Sequence, residues 1–223
     1  MSKVVVLGGS GMLGHKMFQL LGARFPETYA TVRSSDSADL LKSVGLHNEQ
    51  RMIEGIDVLE PLTLSSLIAK LGPDVIVNCV GIVKQREQAS DSIASIKTNA
   101  LLPHQLSEMC QEAGARLIHF STDCVFDGAR GAYTEDDVSN ATDLYGRSKF
   151  LGETAIDSSL TLRSSIIGRE LASYDSLLEW FLAQNRGQVK GFKKALYAGI
   201  TTNQMARLVG DLIEDHPKLS GMY

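Results

Sequence analysis

An α/β fold built on a doubly wound parallel sheet is the class that three observations in this sequence predict. Short runs rich in Val, Ile and Leu alternate with longer segments of helical pattern through most of the chain. The short runs are apolar at consecutive positions, which is typical of parallel strands covered by helices on both faces. A glycine-rich turn at residues 8–14 separates the first run from the first helical segment.

The predicted elements follow one another in a regular order. We expect strands at residues 4–7, 29–32, 75–78, 117–120 and 160–162, with a further short apolar run at 52–56. We expect helices at residues 12–23, 61–71, 93–113 and 145–156.

The last third of the chain is less regular. Residues 130–143 are polar and turn-rich, so we expect a loop that leads into the helix at 145. Beyond about residue 164 the alternation weakens, and we expect residues 176–185 and 203–214 to form helices of a small C-terminal lobe. An apolar stretch begins at Gly221-Met222-Tyr223, and a truncated lobe is one of our expectations.

The composition is that of an ordinary globular protein, and it argues against several functional classes. The 223 residues are 43% hydrophobic and carry a net charge of -4 without a basic block, so we expect no binding to nucleic acid or to an anionic membrane. No apolar run approaches the roughly 20 residues that span a bilayer, and the N-terminus lacks the apolar segment of a signal peptide. Three cysteines without paired spacing argue against disulfides and zinc sites, and favour a cytoplasmic protein.

The glycine-rich turn is the predicted cofactor site. Its glycines form the pattern G-x-x-G-x-x-G between a strand and a helix. Glycine permits a tight turn, lets the backbone approach a pyrophosphate, and allows the helix to pack closely on the strand. The phosphates then meet free N–H groups at the positive end of the helix. The pattern predicts a Rossmann-type dinucleotide-binding domain, with cofactor contacts from Gly8, Ser10, Gly11, Met12, Leu13 and Gly14.

The end of the second strand predicts which dinucleotide is bound. An acidic residue there holds the ribose hydroxyls of NAD, whereas a cation accommodates the extra phosphate of NADP. Arg33 and Ser34 follow this strand, so we expect NADP(H) to be preferred. A solvated Arg33 is the alternative, and NAD(H) stays open. Asp57 and Val58, after the run at 52–56, are expected beside the adenine.

A Tyr and a Lys four residues apart, Tyr145 and Lys149, form the predicted proton-transfer pair. Residues at i and i+4 share one face of a helix, so the phenol and the ammonium point into the same space. A nearby cation favours phenolate and is expected to lower the pKa of Tyr145. Such pairs also occur by chance on exposed helices, but here Thr122 lies upstream in the stretch Ser-Thr-Asp.

The order of these motifs resembles that of extended short-chain dehydrogenases/reductases. Among them, the chain is most similar to the dTDP-4-dehydrorhamnose reductases and their relatives that act on nucleotide-linked 4-keto sugars. The resemblance covers nearly the whole chain. It is carried by the glycine turn and by Asn78-Cys79-Val80-Gly81, Ser121 to Gly128, Tyr133 to Asp137, Tyr145-Gly146-Arg147-Ser148-Lys149 and Leu162-Arg163-Ser164-Ser165.

The resemblance implies a role for each member of a catalytic set. Tyr145 donates a proton to the developing alkoxide as hydride arrives from the nicotinamide. Lys149 holds the nicotinamide ribose and lowers the pKa of Tyr145. Thr122 hydrogen-bonds the substrate oxygen, and so substrate contacts are expected from both Thr122 and Tyr145.

Further positions are carried over from the same resemblance. Asn99 matches an Asn that supports the site, although a polar residue on a helix face is the alternative. Cys79, Val80 and Gly81 are expected near the adenosine and pyrophosphate. Lys84 is expected to reach the substrate, with a solvated lysine as the alternative.

The residues after Thr122 help to separate reaction types. Related 4,6-dehydratases carry Asp-Glu there because elimination of water needs a further acid and base. This chain has Asp123-Cys124, and epimerases of the superfamily usually show Ser-Ala where Thr122-Asp123 stand. Simple carbonyl reduction fits best, and Cys124 is expected to be a small buried apolar residue. No metal is assigned, and we expect His15 on a helix surface.

We therefore expect an NADPH-dependent reductase of the 4-keto group of a nucleotide-diphospho-6-deoxyhexose, serving deoxysugar and surface polysaccharide synthesis. Residues 1–164 form the dinucleotide-binding domain, and 165–223 a partial substrate lobe interleaved with it. The alternatives are another sugar-nucleotide activity, such as a UDP-N-acetyl-sugar 4-reductase or an epimerase, and a non-catalytic NADP-binding regulatory subunit. The partner is a nucleotide sugar, and a homodimer stays open.

Overall fold

A computed structural model describes residues 2–46, 48–84, 90–172, 174–185 and 187–223. Within these ranges, seven parallel strands form the main sheet and two more form a small parallel pair. The strands are β1 Val4–Leu7, β2 Thr28–Thr31, β3 Met52–Ile53, β4 Val75–Asn78, β5 Arg116–Ser121, β6 Ser159–Arg163, β7 Ile166–Ile167, β8 Ile200–Thr201 and β9 Gly221–Met222.

The helices alternate with the strands of the main sheet. They are α1 Gly14–Arg24, α2 Ser35–Ser43, α3 Pro61–Leu71, α4 Ser92–Ser95, α5 Leu102–Ala113, α6 Leu144–Leu151, α7 Leu177–Ala183 and α8 Thr202–Glu214. A π-helical turn at Ile96–Leu101 joins α4 to α5, and a 3₁₀ turn at Asp123–Val125 follows β5.

The strand order creates the cleft on which function depends. The main sheet runs β3-β2-β1-β4-β5-β6-β9, with every pairing parallel. The chain first moves outward from β1 to β3 and then returns to β4 on the other side of β1. Ligands of doubly wound sheets bind at such a reversal, outside the carboxyl ends of the strands. The predicted fold class is confirmed.

The core lies in two layers, one on each face of the sheet. In β1, Val4 and Val6 pack into the cluster formed with α1 and α8, whereas Val5 and Leu7 pack into the cluster formed with α3 and α5. Successive side chains of a strand point to opposite faces, so both faces of β1 are apolar. This explains the unbroken Val and Leu run in the sequence.

The predicted strands and most of the predicted helices are present, with local differences. The helix predicted at 93–113 contains the π-helical turn, and the one predicted at 145–156 ends at Leu151. Its C-cap is Gly152, which lies against the backbone of Asn99, where an added Cβ would be 1.9 Å from the Asn99 carbonyl oxygen. The run at 52–56 forms only the two-residue strand β3, and α2 was not predicted.

The C-terminal elements join the main domain as well as the smaller lobe. Helix α8 packs on α1, where Arg24 bonds to Asp211 and Glu214. Its N-terminus carries a capping box between Thr201 and Gln204. Strand β9 then extends the main sheet beside β6. Among the described residues, no helix is long and apolar enough to cross a membrane.

Helix α8 is expected to contribute to the stability of the nucleotide-binding domain through its buried face. Met205 is 2% exposed, within the cluster formed with α1. Met205→Ala should lower the free energy of unfolding by about 2–5 kcal/mol because it leaves a cavity. Leu208→Ala in the same helix, where Leu208 is 41% exposed, should change it by about 0.5 kcal/mol or less. Equal losses from the two variants in urea unfolding would contradict this packing.

Candidate active site

The glycine turn brings the start of α1 into direct contact with the end of β1. Gly8 has a φ of 79°, in the left-handed region, and its carbonyl oxygen accepts the Gly11 N–H at 3.0 Å. A Cβ added at Gly14 would lie 2.0 Å from that same oxygen. Only glycine allows helix and strand to approach so closely. The backbone at the N-terminus of α1 therefore faces the cleft.

Neighbouring groups hold the turn in place. The Gly9 N–H donates to the Thr31 carbonyl at 2.8 Å, and the Gly8 N–H donates to the Thr31 hydroxyl at 3.3 Å. His15 is buried, and its Nδ1 lies 2.9 Å from the Gly11 carbonyl oxygen. The expectation that His15 lies on the helix surface was wrong, because the ring folds back onto the turn. Burial lowers the pKa of His15, so the imidazole is neutral near pH 7.

The residues predicted to contact the adenosine lie around the ends of β2 and β3. Arg33 is exposed just after β2. Ser34 is the N-cap of α2, and its side chain accepts the Ser37 N–H at 3.4 Å. Asp57 accepts the Leu59 N–H at 3.0 Å, and Val58 packs against the cluster formed with α3 and α5. These four side chains are thus separate from the cleft that holds the catalytic set.

Asn99 links the loop after β4 to helix α6. Its side chain accepts the Ile82 N–H and donates to the Ile82 carbonyl, both at 2.9 Å. Its amide also donates to the Ser148 hydroxyl at 3.2 Å. A Cβ added at Gly81 would lie 3.4 Å from Asn99 Oδ1 and 4.0 Å from Lys149 Nζ. Asn99 therefore supports the loop that carries Cys79, Val80 and Gly81 along the cleft.

Helix α6 begins where two backbones meet. The Asp143 carboxylate caps it by accepting the Gly146 N–H at 2.8 Å. A Cβ added at Gly146 would lie 2.3 Å from the Cys124 carbonyl oxygen, so the first turn of α6 packs directly on the 3₁₀ turn that Thr122 caps. This contact brings Tyr145 beside Thr122.

Thr122, Tyr145 and Lys149 line one cleft with the glycine turn and the loop after β4. The cleft has a volume of about 390 Å³. Its predicted members from the sequence are Gly11, Met12, Leu13, Cys79, Val80, Gly81, Lys84, Thr122, Tyr145 and Lys149. Residues that follow β6, including Ser165, Ile166 and Tyr197, also line the cleft. The other predicted glycine-turn residues, Gly8, Ser10 and Gly14, belong to the same turn but are not among the residues that line the cleft.

Lys149 is a buried cation. Its side chain reaches the end of β5, where Nζ donates to the Phe120 carbonyl at 2.5 Å. Burial lowers the pKa of Lys149 to about 8, although the Glu153 carboxylate acts in the opposite direction. The ammonium therefore remains largely protonated at pH 7.

The electrostatics of Tyr145 differ from the expectation. Burial raises the pKa of Tyr145 to about 12, while the Thr122 side chain lowers it and neighbouring acidic groups raise it further. The prediction that Lys149 lowers the pKa of the phenol was wrong for this structure, because the cost of burying phenolate dominates and Lys149 bonds to Phe120. Tyr145 is thus a neutral phenol, the state that a proton donor requires.

Two further side chains stand beside the phenol. Lys84 Nζ lies 2.8 Å from Asp143 Oδ2 and 5.5 Å from the centroid of the Tyr145 ring. Cys124 is half-buried and lines the cleft, so the expectation of a fully buried residue was wrong. Its N–H donates to the Thr122 hydroxyl oxygen at 3.1 Å, and the hydroxyl itself donates to Asp123 Oδ1 at 3.3 Å.

The sequence did not point to several residues that support the site without lining the cleft. The Asp143 cap, the contact glycines Gly146 and Gly152, and Ser148 all hold α6 in place. A Gly in the first turn of a helix after an Asp was the available signal, since both residue types are typical of caps and close contacts. Among the described residues, no group of three His, Cys, Asp or Glu side chains is arranged to hold a metal ion.

Comparison with known proteins places this site in a family. The model of the family described as RmlD substrate binding domain matches residues 2–191. The chain belongs to that family. A relative in Streptomyces niveus, named dTDP-4-keto-6-deoxy-D-glucose reductase, is 28% identical over 153 residues, which are 68% of this chain and 46% of the relative. The chain thus matches about half the length of such RmlD-family relatives.

Two other comparisons bear on function. The β subunit of methionine adenosyltransferase 2 from Mus musculus is 28% identical over 155 residues, 69% of this chain and 42% of that protein. The crystal structure of a hypothetical dTDP-4-dehydrorhamnose reductase from Sulfolobus tokodaii superposes with a TM-score of 0.79 and 27% identity. The superposition covers 99% of this chain and 74% of the Sulfolobus tokodaii chain. This RmlD-family chain therefore has the fold of the Sulfolobus tokodaii protein.

Gly14→Ala is expected to reduce NADPH affinity by about tenfold or more, equivalent to at least about 1.4 kcal/mol. The added methyl group would lie 2.0 Å from the Gly8 carbonyl oxygen and force the turn open. Gly22→Ala in the same helix is the matched control, because an added Cβ there meets nothing within 4 Å. It should raise stability by about 0.5–1 kcal/mol. Fluorescence titration measures the NADPH affinity, and thermal melts measure the stability. An unchanged affinity in Gly14→Ala would contradict the prediction that the glycine turn binds the cofactor.

Lys149→Met should remove a pH-dependent part of the stability. Between about pH 8 and the usual lysine pKa of 10.5 the unfolded chain binds the proton that folded Lys149 releases, so wild-type stability rises with pH in this window. Relative to Lys149→Met, wild type should gain about 2–3 kcal/mol between pH 7 and pH 10. Lys70→Met, at an exposed lysine, should show no such gain. The difference in unfolding free energy between wild type and Lys149→Met is measured in urea at each pH. A difference that does not change with pH would contradict the burial of the Lys149 ammonium.

Proposed function

We propose that this protein is an NADPH-dependent reductase of the 4-keto group of a nucleotide-diphospho-6-deoxyhexose. The observation that carries the proposal is the convergence of Thr122, Tyr145 and Lys149 in the cleft that the glycine turn enters. The names of the Streptomyces niveus and Sulfolobus tokodaii proteins support the substrate class. The nucleotide is dTDP or UDP.

The residues present fit a nicotinamide dinucleotide. Gly8 and Gly14 bring bare backbone to the N-terminus of α1, where a side chain at residue 14 would fill the space that the turn itself needs. A pyrophosphate is favoured at such a helix end. Arg33, exposed after β2, provides a cation for the 2′-phosphate of NADP. The bound cofactor supplies the hydride for the reduction.

The protein's own groups supply the proton and its placement. The Thr122 hydroxyl, which donates to Asp123 in the free protein, turns to donate a hydrogen bond to the substrate carbonyl oxygen and fixes its position. Tyr145, neutral because its pKa is about 12, donates its proton as negative charge develops on that oxygen. Lys149, a buried cation at the end of β5, would hold the nicotinamide ribose. A ketone, a hydride and one proton yield a secondary alcohol, and solvent reprotonates Tyr145.

A regulatory role is the second candidate, favoured by the similarity to the β subunit of methionine adenosyltransferase 2. A chain of this class would bind the dinucleotide and a partner enzyme without turnover. The presence of Thr122, Tyr145 and Lys149 in one cleft favours the reductase. Tight NADPH binding without oxidation by any 4-keto sugar would favour the regulatory role.

Tyr145→Phe is expected to reduce kcat for NADPH oxidation by about 10²–10⁴-fold, because the proton donor is lost while the ring remains. The assay uses dTDP- and UDP-linked 4-keto-6-deoxy sugars, with NADPH and NADH compared. Tyr29→Phe is the matched control. The Tyr29 hydroxyl, on strand β2, accepts a hydrogen bond from Arg51, which directly precedes the edge strand β3, so this variant should react at the wild-type rate. Undiminished turnover in Tyr145→Phe would exclude the assigned donor.

A further inference from the structure

Two buried polar side chains bond to each other where the loop after β4 begins. Asn78, the last residue of β4, and His119 in β5 are each 1% exposed, and their Cα atoms are partners across the two strands. Asn78 Nδ2 lies 3.2 Å from His119 Nδ1. Asn78 Oδ1 accepts the Val80 N–H at 3.1 Å. Asn78 therefore joins His119 in the sheet to the backbone of the loop.

The Val80 backbone fixes the orientation of the Asn78 amide. A backbone N–H only donates, so the Asn78 carbonyl oxygen faces Val80 and the NH₂ group faces His119. Since that group donates, His119 Nδ1 accepts and carries no proton. Burial holds the pKa of His119 well below its usual value, so the ring is neutral at pH 7. A neutral imidazole carries one ring proton, which is therefore on Nε2.

This tautomer leaves a buried donor unpaired. His119 Nε2 is buried, and among the described residues no group hydrogen-bonds to it. An unpaired buried N–H is unfavourable, so an apolar side chain would serve better if the residue only filled the core. The other tautomer would set two donors against each other at Nδ1. The contact that accounts for an imidazole at this position is the one between Nδ1 and Asn78.

Val80 connects this pair to the glycine turn. A Cβ added at Gly8 would lie 2.9 Å from Val80 Cγ2 and 3.5 Å from the Val80 nitrogen, so the loop after β4 packs directly on the turn. Asn78 and Val80 both line the cleft, whereas His119 is not among the lining residues. Any effect of His119 on the cleft is therefore transmitted by Asn78.

We propose that His119 is a positioning residue for the dinucleotide site, whose Nδ1 holds the Asn78 amide in the one orientation that fixes Val80 against the glycine turn. The inference rests on the proposed function only for the identity of the bound dinucleotide. Without an acceptor at residue 119, the Asn78 amide rotates toward other partners, and the Val80 N–H loses its own acceptor. The loop then leaves the arrangement that fits the cofactor, so the affinity for NADPH falls.

The first test determines the tautomers of the two buried histidines in wild-type protein labelled with ¹⁵N-histidine. Sequential backbone assignment identifies each ring, and two-bond proton–nitrogen correlations show which nitrogen carries the proton. We expect the proton of His119 on Nε2. His15 is the internal control, because its Nδ1 lies 2.9 Å from the Gly11 carbonyl oxygen, which only accepts, so its proton should be on Nδ1. A proton on Nδ1 of His119 would overturn the inference.

Two substitutions at His119 separate positioning from packing. His119→Leu fills much of the same space without an acceptor, whereas His119→Asn places a side-chain oxygen near the position of Nδ1. We expect His119→Leu to bind NADPH about tenfold more weakly in fluorescence titration, because a buried amide loses its partner. His119→Asn should stay within about threefold of wild type. Wild-type affinity in His119→Leu, or equal losses in the two variants, would overturn the inference.

Ser107→Ala is the matched control for these titrations. It removes a buried hydrogen bond of 2.6 Å between Ser107 and Ser159, neither of which lines the cleft. It should therefore lower the stability without changing the affinity for NADPH. A loss of affinity equal to that of His119→Leu would show that any buried polar loss has this effect, and the inference would be wrong.

Hydrogen exchange provides a test that needs no cofactor. In His119→Leu the Val80 amide should exchange about tenfold faster, whereas the neighbouring Cys79 N–H, which donates to the Leu7 carbonyl at 3.1 Å, should change little. Equal acceleration at both amides would indicate a general loss of stability and would overturn the inference. If His119→Leu fails to fold, the wild-type tautomers decide. If wild type binds neither NADPH nor NADH, the proposed function fails, and the tautomers and the exchange rates still decide this inference.

Discussion

Direct contact between backbones at the carboxyl edge of the sheet is the constraint on which the site depends. At Gly14, Gly146 and Gly152, an added Cβ would lie 2.0, 2.3 and 1.9 Å from a backbone carbonyl oxygen. No side chain fits between those helices and their supports. The first contact presents the N-terminus of α1 to the cleft. The other two seat α6 between the turn after β5 and the π-helical turn, so Tyr145 and Lys149 reach the space next to Thr122.

Burial then sets the charge states of the groups that these contacts bring together. The phenol of Tyr145 stays neutral and can give a proton, with its pKa raised to about 12. Lys149 stays largely protonated although burial lowers its pKa to about 8. A neutral phenol suits the proposed reduction, in which negative charge develops on the substrate oxygen and takes up the proton of the phenol.

Local patterns were sufficient to predict the parallel sheet and the glycine turn, whereas the resemblance to a known family singled out Thr122, Tyr145 and Lys149 as a candidate set. The Val-rich runs and the G-x-x-G-x-x-G spacing depend on neighbouring residues alone. The placement of the C-terminal elements, the contact at the end of α6 and the burial of individual side chains depend on long-range contacts. Helix α8 packs on α1 and β9 pairs with β6, far away in sequence, and Gly152 at the end of α6 packs on the backbone of Asn99 in the π-helical turn. His15 and Tyr145 were misjudged because burial, which decides their pKa values, is a property of the folded chain.

The most direct test of the account is the fate of the hydride and the proton in a single product. Wild-type protein would be given NADPH deuterated at the reactive C4 position of the nicotinamide, together with a dTDP-linked 4-keto-6-deoxy sugar, and the product examined by mass spectrometry and NMR. The account predicts a secondary alcohol with one deuterium on the former carbonyl carbon and an exchangeable proton on its oxygen. A product without deuterium at that carbon, formed by this cleft, would contradict it.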